Sequence, residues 1–209
     1  MSQDRAAQLV AEKFDPLAAV GGVRGIVESV LPPVAFIAAY SLTGALLPAL
    51  VGSLVAVAAL IVVRLVQRST LVGALTGFGG VLIGLAWAWT SGEARDYFLW
   101  GLIVNALYLL GCLISLLVRR PVIGLVVAFV SQLPNWRTGP RYARFVAATW
   151  LWVGVFALRL AAQVPLYRAG DVEWLGALRI AMGVPLFALA AWITWLTVRT
   201  KTPPVPSSE

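Results

Sequence analysis

The sequence predicts an all-α fold: a polytopic membrane bundle of six transmembrane helices, with both termini in the cytoplasm. The chain has 209 residues, of which 60% are hydrophobic and only 12% charged, whereas a soluble domain is about 25% charged. Its apolar stretches suffice for six crossings of about 20 residues each. When the chain is threaded through a membrane in this way, all its Lys and Arg residues but four lie on one side. Arg95 and Arg168 lie on the other side, and Arg159 and Arg179 lie within spans. Such an excess of basic residues marks the cytoplasmic side.

The first segment, residues 1–20, predicts a cytoplasmic amphipathic helix. Ala7, Val10, Phe14 and Leu17 recur at helical spacing, and the charged residues lie largely on other faces. This pattern is typical of a helix lying on a membrane surface. The mixture of charged and apolar residues differs from a signal peptide, in which a basic region precedes an apolar run.

The six spans form one domain, 21–198. A hinge at Gly21-Gly22 precedes span 1, and Pro32-Pro33 near its middle predicts a kink because proline removes a helical hydrogen bond. Pro185 predicts a second kink, in span 6. The spans cover about 23–42, 46–66, 71–90, 97–118, 145–166 and 174–198.

A short element follows span 4, at 121–135. Its apolar run, 122–130, is too short to cross a bilayer, and Pro134 lies just after it. A non-crossing element also keeps the arginines before and after it on the cytoplasmic side. The sequence therefore predicts an interfacial or re-entrant element here, and it leaves those two alternatives open. The tail, 199–209, carries three prolines and is predicted to be disordered and cytoplasmic.

Span 3 carries two GxxxG pairs on roughly one helical face. Small residues let two helix backbones approach closely, which favours association inside a membrane. This face predicts packing within the bundle, and a homodimer interface or the wall of a thin pathway is the alternative. The four helix-packing residues are Gly73, Gly77, Gly80 and Gly84.

Span 4 carries a stripe of small and polar residues at steps of four and three. A polar group in hydrocarbon needs a partner, so the stripe is predicted to face the interior of the bundle. Hydrogen bonding between helices is one interpretation, and the lining of a cavity by Asn105 and Tyr108 is the other. The stripe consists of Gly101, Asn105, Tyr108, Cys112 and Ser115.

Charged residues within spans are costly and usually have a partner or a role. Glu28 lies four residues after Arg24 on span 1, which predicts an ion pair on one helical face. Arg159 and Gln163 share one face in the outer half of span 5, and Arg179 lies just over one turn inside the outer end of span 6.

The two arginines have alternative interpretations. Both can extend toward the outer surface, as long basic side chains do near helix ends. They can pair with acidic residues of the outer loops. They can also form an outward-facing anion site, for example for a lipid phosphate, because arginine binds phosphate with two parallel hydrogen bonds. The acidic candidates are Asp96, Asp171 and Glu173.

The sequence offers little for catalysis or for cofactors. It has no histidine and a single cysteine, Cys112, so the commonest transition-metal sites are excluded and we expect no metal, no cofactor and no intrachain disulfide. No HExxH, GxSxG or Walker pattern is present. The prediction is a protein without enzymatic activity. The net charge of +7 is explained by topology and anionic headgroups, so we predict no nucleic-acid partner.

Three stretches resemble the bacterial septation proteins. They are the entry to span 1 at 25–33, the end of span 4 at 119–124, and the last hairpin with Trp136, Trp150 and Trp174. On these stretches the chain resembles the intracellular septation protein A group of bacterial inner-membrane proteins, and more closely an uncharacterised actinobacterial integral membrane family. The resemblance implies a multi-pass inner-membrane protein linked to cell-envelope maintenance or division. It supplies no catalytic residues.

The leading functional prediction is a non-enzymatic accessory in envelope maintenance or division, which acts through protein partners or as a homo-oligomer. The alternative is a small-solute or ion transporter or channel, in which intramembrane polar residues line the path. An anionic-lipid-binding protein is the third. Membrane lipids are predicted partners in each case, with anionic headgroups at the cytoplasmic basic residues. The candidate functional residues are Glu28, Asn105, Tyr108, Arg159, Gln163 and Arg179.

Overall fold

Helices make up nearly all of the described chain. The computed structural model describes residues 22–67, 72–131, 136 and 140–198, and within them all side chains except those of 72–77, 131 and 140. These residues form eight α-helices and one 3-10 helix, and no strand occurs among them. The α-helices are α1 (Gly22–Thr43), α2 (Leu46–Val66), α3 (Val72–Ser91), α4 (Leu99–Leu117), α5 (Val122–Ser131), α6 (Pro140–Ala169), α7 (Val172–Ala181) and α8 (Val184–Val198), and the 3-10 helix is Ala94–Phe98.

Five helical segments have the length and apolar composition needed to cross a membrane, so the protein is of the multi-pass membrane type. They are Gly22–Thr43, Leu46–Val66, Ala94–Leu117, Arg141–Ala169 and Val172–Val198. The predicted span 3 corresponds to α3, of which Phe78–Ser91 is a shorter apolar helix. The sixth crossing therefore stays a prediction.

Helix α3 packs along α2 in the direction that a sixth crossing requires. Phe78 packs against Val57 and Leu60 in the second half of α2. Ala88, near the other end of α3, belongs to a core that gathers the end of α1, the start of α2, the 3-10 helix and the start of α7. We call this end of the bundle the predicted outer end. Its core consists of Phe36, Ala49, Leu50, Leu85, Ala88, Ala94, Tyr97, Phe98, Val172 and Leu175.

Aromatic rings hold the predicted outer end together. Phe36 of α1 stacks on Tyr97 with ring centroids 4.0 Å apart. Phe98 meets the edges of both rings, at 5.9 Å from Phe36 and 4.9 Å from Tyr97. The Tyr97 hydroxyl lies 3.2 Å from the Ser53 hydroxyl of α2. Such ring pairs add about 0.5–1.5 kcal/mol each beyond the area that they bury, so this cluster fixes α1 and α2 against the entry of α4.

The long helix α6 joins the second half of the bundle. Cys112 of α4 packs against Val153 and Phe156 of α6. On another face of α6, the Trp152 indole donates a hydrogen bond to the Thr194 hydroxyl of α8, at 3.0 Å. Helix α6 is longer than its predicted span, 145–166, because helical structure continues beyond the apolar stretch at both ends.

The predicted span 6, 174–198, is not one continuous helix. It breaks between α7 and α8 at Met182 and Gly183. Pro185 has no N–H to donate to the carbonyl of Ala181, and a proline ring clashes with the carbonyl four residues earlier. At Gly183 a Cβ would lie 3.1 Å from the carbonyl oxygens of both Arg179 and Ile180, so glycine suits this crowded position. The crossing is therefore made of two half-helices.

The proline pair of span 1 does not interrupt its helix. Helix α1 runs through Pro32 and Pro33, which are both buried, without a break.

Helix α5 has ten residues, or about 15 Å, which is half of a bilayer core. Its first amides donate to the hydroxyls of Ser115, at 3.2 Å, and Thr149, at 3.4 Å. Its interfacial or re-entrant placement stays a prediction, and 1–20, 132–135 and 199–209 lie outside the described residues.

Candidate functional site

The structure divides the six candidate residues into three groups. Glu28 lies between α1 and α2, and Tyr108 is exposed on the surface of α4. The other four lie on α4, α6 and α7 around the break between α7 and α8. We call Asn105, Arg159, Gln163 and Arg179 the polar cluster.

Glu28 forms a charged staple with two arginines. Its carboxylate accepts from Arg24 Nε at 3.0 Å, as the spacing on span 1 predicts. It also accepts from Arg64 of α2, through Nε at 2.7 Å and through Nη2 at the second carboxylate oxygen. Arg64 is 6% exposed. This forked arrangement joins α1 to α2 near the predicted cytoplasmic end, so Glu28 has a structural role here.

The register of α4 against α6 assembles the first three members of the polar cluster. Tyr108 of α4 lies beside Phe156 of α6, with ring centroids 5.4 Å apart. The two helices are antiparallel, so three residues back along α4 and three forward along α6 reach the same level. That level holds Asn105 and Arg159, and one further turn brings Gly101 level with Gln163. Asn105, Arg159 and Gln163 are all buried.

Arg179 reaches this level from α7. A Cβ at Gly101 would lie 2.7 Å from its Nη1, so the guanidinium group lies directly against the α4 backbone at this glycine. Nη1 donates to the Phe98 carbonyl at 3.4 Å, and the guanidinium group lies 5.5 Å from the centre of the Phe98 ring. The stripe on α4 thus faces the interior at Gly101 and Asn105, whereas Tyr108 faces outward and is 58% exposed.

Arg159 is bound to the helix break. Its Nη1 donates to the Met182 carbonyl at 2.6 Å. Its guanidinium group also lies 4.9 Å from the centre of the Phe187 ring on α8. The break thus presents backbone carbonyls within the bundle, and an arginine from a different helix satisfies one of them. Arg159 lies seven residues inside the outer end of the predicted span, 145–166, or about 10 Å in, which is in the outer half of a bilayer core.

Two donors of the polar cluster have no hydrogen-bond partner in the described part of the chain. They are Arg159 Nε and Gln163 Nε2. Their side chains belong to residues that are 6% and 2% exposed. A buried donor without a partner is costly, so these two groups are the least satisfied feature of the site.

Two of the three acidic residues predicted as partners, Asp96 and Asp171, are engaged elsewhere. Asp96 accepts from the Tyr167 hydroxyl at 2.5 Å, and Asp171 caps α7 by accepting from the Trp174 amide at 3.2 Å. Within 22–67, 72–131, 136 and 140–198, neither Arg159 nor Arg179 forms an ion pair with a carboxylate.

The glycine face of span 3 packs inside the bundle at its second pair. A Cβ at Gly80 would lie 3.3 Å from the Trp100 ring, and a Cβ at Gly84 would meet the Tyr97 carbonyl oxygen. The surroundings of Gly73 and Gly77 lie outside the described side chains. Close approach of the 3-10 helix and α4 therefore explains why residues 80 and 84 are small.

Sequence reasoning missed two contributors. By its position in the sequence, Arg64 marks the cytoplasmic end of span 2. It lies two residues before the end of the helix, and from there its side chain can turn toward the neighbouring helix. The Met182 carbonyl has no sequence signal beyond the proline three residues later. In chemical terms the polar cluster offers hydrogen-bond donors and positive charge. Across the described residues, no group of three or more His, Cys, Asp and Glu could hold a metal ion.

The comparisons with known proteins identify a family model. The model described as "Protein of unknown function (DUF3159)" matches residues 20–205, which cover all the described helices. No curated protein and no solved structure is significantly similar to the chain. The resemblance to intracellular septation protein A therefore stays a prediction.

Proposed function

Since the chain belongs to the DUF3159 family of proteins of unknown function, we propose a function from its site geometry: it is a membrane carrier for a small solute. The solute binds at the polar cluster, beside the break between α7 and α8. The protein has no enzymatic activity in this proposal, because the cluster offers hydrogen-bond donors and positive charge but no nucleophile with a neighbouring base.

The single observation that carries this proposal is the discontinuous crossing beside buried polar groups. Transporters commonly bind their solutes near the bilayer midplane, between half-helices whose broken backbone faces the site. Here the break at Met182 and Gly183 lies beside Arg159, about 10 Å inside the outer end of the predicted span 5. Irregular backbone at such depth needs protein or water around it, and Arg159 supplies part of that protein.

The same proposal includes location and orientation. The protein lies in the bacterial cytoplasmic membrane, crosses it six times and keeps both termini inside. The distribution of Lys and Arg supports this orientation. The course of α3 between the two ends of α2 supports the sixth crossing.

Thiol labelling tests whether solute can reach the cluster from water. In a Cys112→Ala background, Asn105→Cys is expected to react with a membrane-impermeant anionic thiosulfonate reagent added to either face of oriented vesicles. A carrier exposes its site to each side in turn, although Asn105 is buried in this conformation. Labelling is read by the mass shift of the purified protein.

Leu110→Cys is the matched control, because Leu110 lies on the same helix and is 53% exposed on the side that faces away from the bundle. Its thiol is expected to face lipid and to stay unlabelled. If Asn105→Cys resists the reagent from both faces, as Leu110→Cys does, the carrier proposal is wrong.

The accessory role in envelope maintenance or division stays a separate proposal that rests on resemblance alone. It includes protein partners or a homo-oligomer, and contacts of anionic lipid headgroups with the cytoplasmic arginines. Extraction in mild detergent at native expression is the appropriate experiment. A defined complex supports this role, and a single monodisperse protomer argues against it.

A further inference from the structure

We infer that the solute held at the polar cluster is a small oxyanion, bound through a carboxylate or phosphate group. This inference rests on the proposed function, because it names the substrate class of the same site. The ligand would lie between Arg159 and Gln163 of α6 and Arg179 of α7.

Charge is the first argument. Arg159 is buried, and the Arg179 guanidinium group lies against the backbone of α4, and the described residues supply no carboxylate to either of them. Charged groups within membranes almost always pair with one another or with backbone carbonyls. Carbonyls are present, from Met182 and Phe98, but a carbonyl carries no net charge. A bound anion would neutralise positive charge that the carbonyls leave uncompensated.

The unpartnered donors are the second argument. Arg159 Nε and Gln163 Nε2 are buried and have no acceptor among the described residues. They lie one helical turn apart on the same face of α6, which allows a single ligand with two oxygen atoms to accept from both. The arginine fork and the amide donor match the planar geometry of a carboxylate or one edge of a phosphate.

A purely structural role explains only part of this geometry. Arg159 stabilises the broken end of α7 by binding the Met182 carbonyl, as basic side chains do at helix C-termini. That bond uses Nη1 and leaves Nε without a function, and it does not involve Gln163. The rings of Phe187 and Phe98 pack near the two guanidinium groups. They limit the space beside the donors, so the ligand is small.

Binding is tested on the full chain in nanodiscs of zwitterionic phosphatidylcholine, at constant ionic strength. The probes are inorganic phosphate and acetate, and the readout is the midpoint of thermal unfolding followed by tryptophan fluorescence. A ligand that binds only the folded state raises this midpoint with concentration. A second set of nanodiscs contains phosphatidylglycerol and no added anion, so that a lipid headgroup is distinguished from a free anion.

The variants are chosen so that folding and binding separate. Gln163→Met keeps the length of the side chain and removes the unpartnered donor. It is expected to leave the ligand-free protein as stable as the wild type or more so, and to weaken the apparent affinity for the anion about tenfold or more. Arg159→Gln is expected to abolish the response. Arg168→Gln, on the exposed end of α6, makes the same change in net charge and is expected to keep it.

Stabilisation of the wild type by phosphate, acetate or phosphatidylglycerol, with the loss confined to the cluster variants, supports the inference. The absence of stabilisation by all three probes overturns it, and so does an equal response in the wild type and Gln163→Met. If Arg159→Gln does not fold, the response of Gln163→Met to the probes decides alone whether the inference holds. Anion binding without labelling of Asn105→Cys would retain the anion site and remove the carrier, whereas labelling without anion binding would do the reverse.

Discussion

Replacement of Glu28 by leucine is expected to lower the free energy of unfolding by about 3 kcal/mol. Breaking a buried ion pair costs about 3–5 kcal/mol, and we take the lower end because the Glu28 side chain keeps 14% exposure. The substitution removes the carboxylate that accepts from both Arg24 and Arg64. Two positive groups would then face each other between α1 and α2. Unfolding of the purified protein by a denaturing detergent, followed by circular dichroism, measures the loss.

Two further variants make this prediction specific. Glu93→Leu removes a carboxylate that is 59% exposed and lies 3.7 Å from Arg95, and an exposed pair contributes about 0–1 kcal/mol. The double variant Glu28→Leu with Arg64→Leu replaces the staple by apolar groups, which is often neutral for buried pairs. It is therefore expected to recover most of the lost stability. A double variant that is less stable than Glu28→Leu would contradict this account.

Gly84→Ala is expected to lower the free energy of unfolding by about 1–3 kcal/mol, the usual cost of overpacking. The added methyl group would meet the carbonyl oxygen of Tyr97. That oxygen belongs to the backbone of the 3-10 helix just before α4, so it cannot move aside without shifting this helix and the aromatic core around it. The measurement is the same detergent-unfolding curve.

Gly79→Ala is the matched control on the same helix. Nothing lies within 4 Å of a Cβ built at Gly79, so this position has room for a methyl group. Alanine forms helices better than glycine, and the variant is expected to be as stable as the wild type or slightly more stable. Equal losses at Gly84 and Gly79 would mean that the close contact of residue 84 with the Tyr97 backbone does not determine the effect.

The class of fold could be predicted from the sequence, because long apolar runs and the positions of basic residues depend on the bilayer alone. The break in the last crossing could be predicted less well. Pro32 and Pro33 lie within an unbroken helix, whereas Pro185 follows a break. Proline alone does not separate these outcomes, because neighbouring helices decide whether the freed carbonyls find partners. At Met182 that partner is Arg159, from a helix distant in sequence.

The candidate site shows the same limit. Periodicity places Asn105 and Tyr108 on one stripe of span 4, yet Asn105 is buried and Tyr108 is exposed. Tyr108 contacts Phe156 of α6 from the rim of the interface, and the register between two helices cannot be read from the sequence of either one. Glu28 pairs with Arg24 as its spacing predicts, but the stronger fork from Arg64 depends on how α1 meets α2. Local spacing therefore predicts contacts within a helix better than contacts between helices.

Uptake of radiolabelled phosphate and small carboxylates into proteoliposomes decides whether the protein is an oxyanion carrier, with the wild type, Arg159→Gln and Arg168→Gln compared at equal reconstitution. We expect uptake above that of empty liposomes for the wild type and for Arg168→Gln, and a loss to the level of empty liposomes for Arg159→Gln. Uptake that is equal in the wild type and Arg159→Gln, or uptake of none of these anions by the wild type, would contradict it.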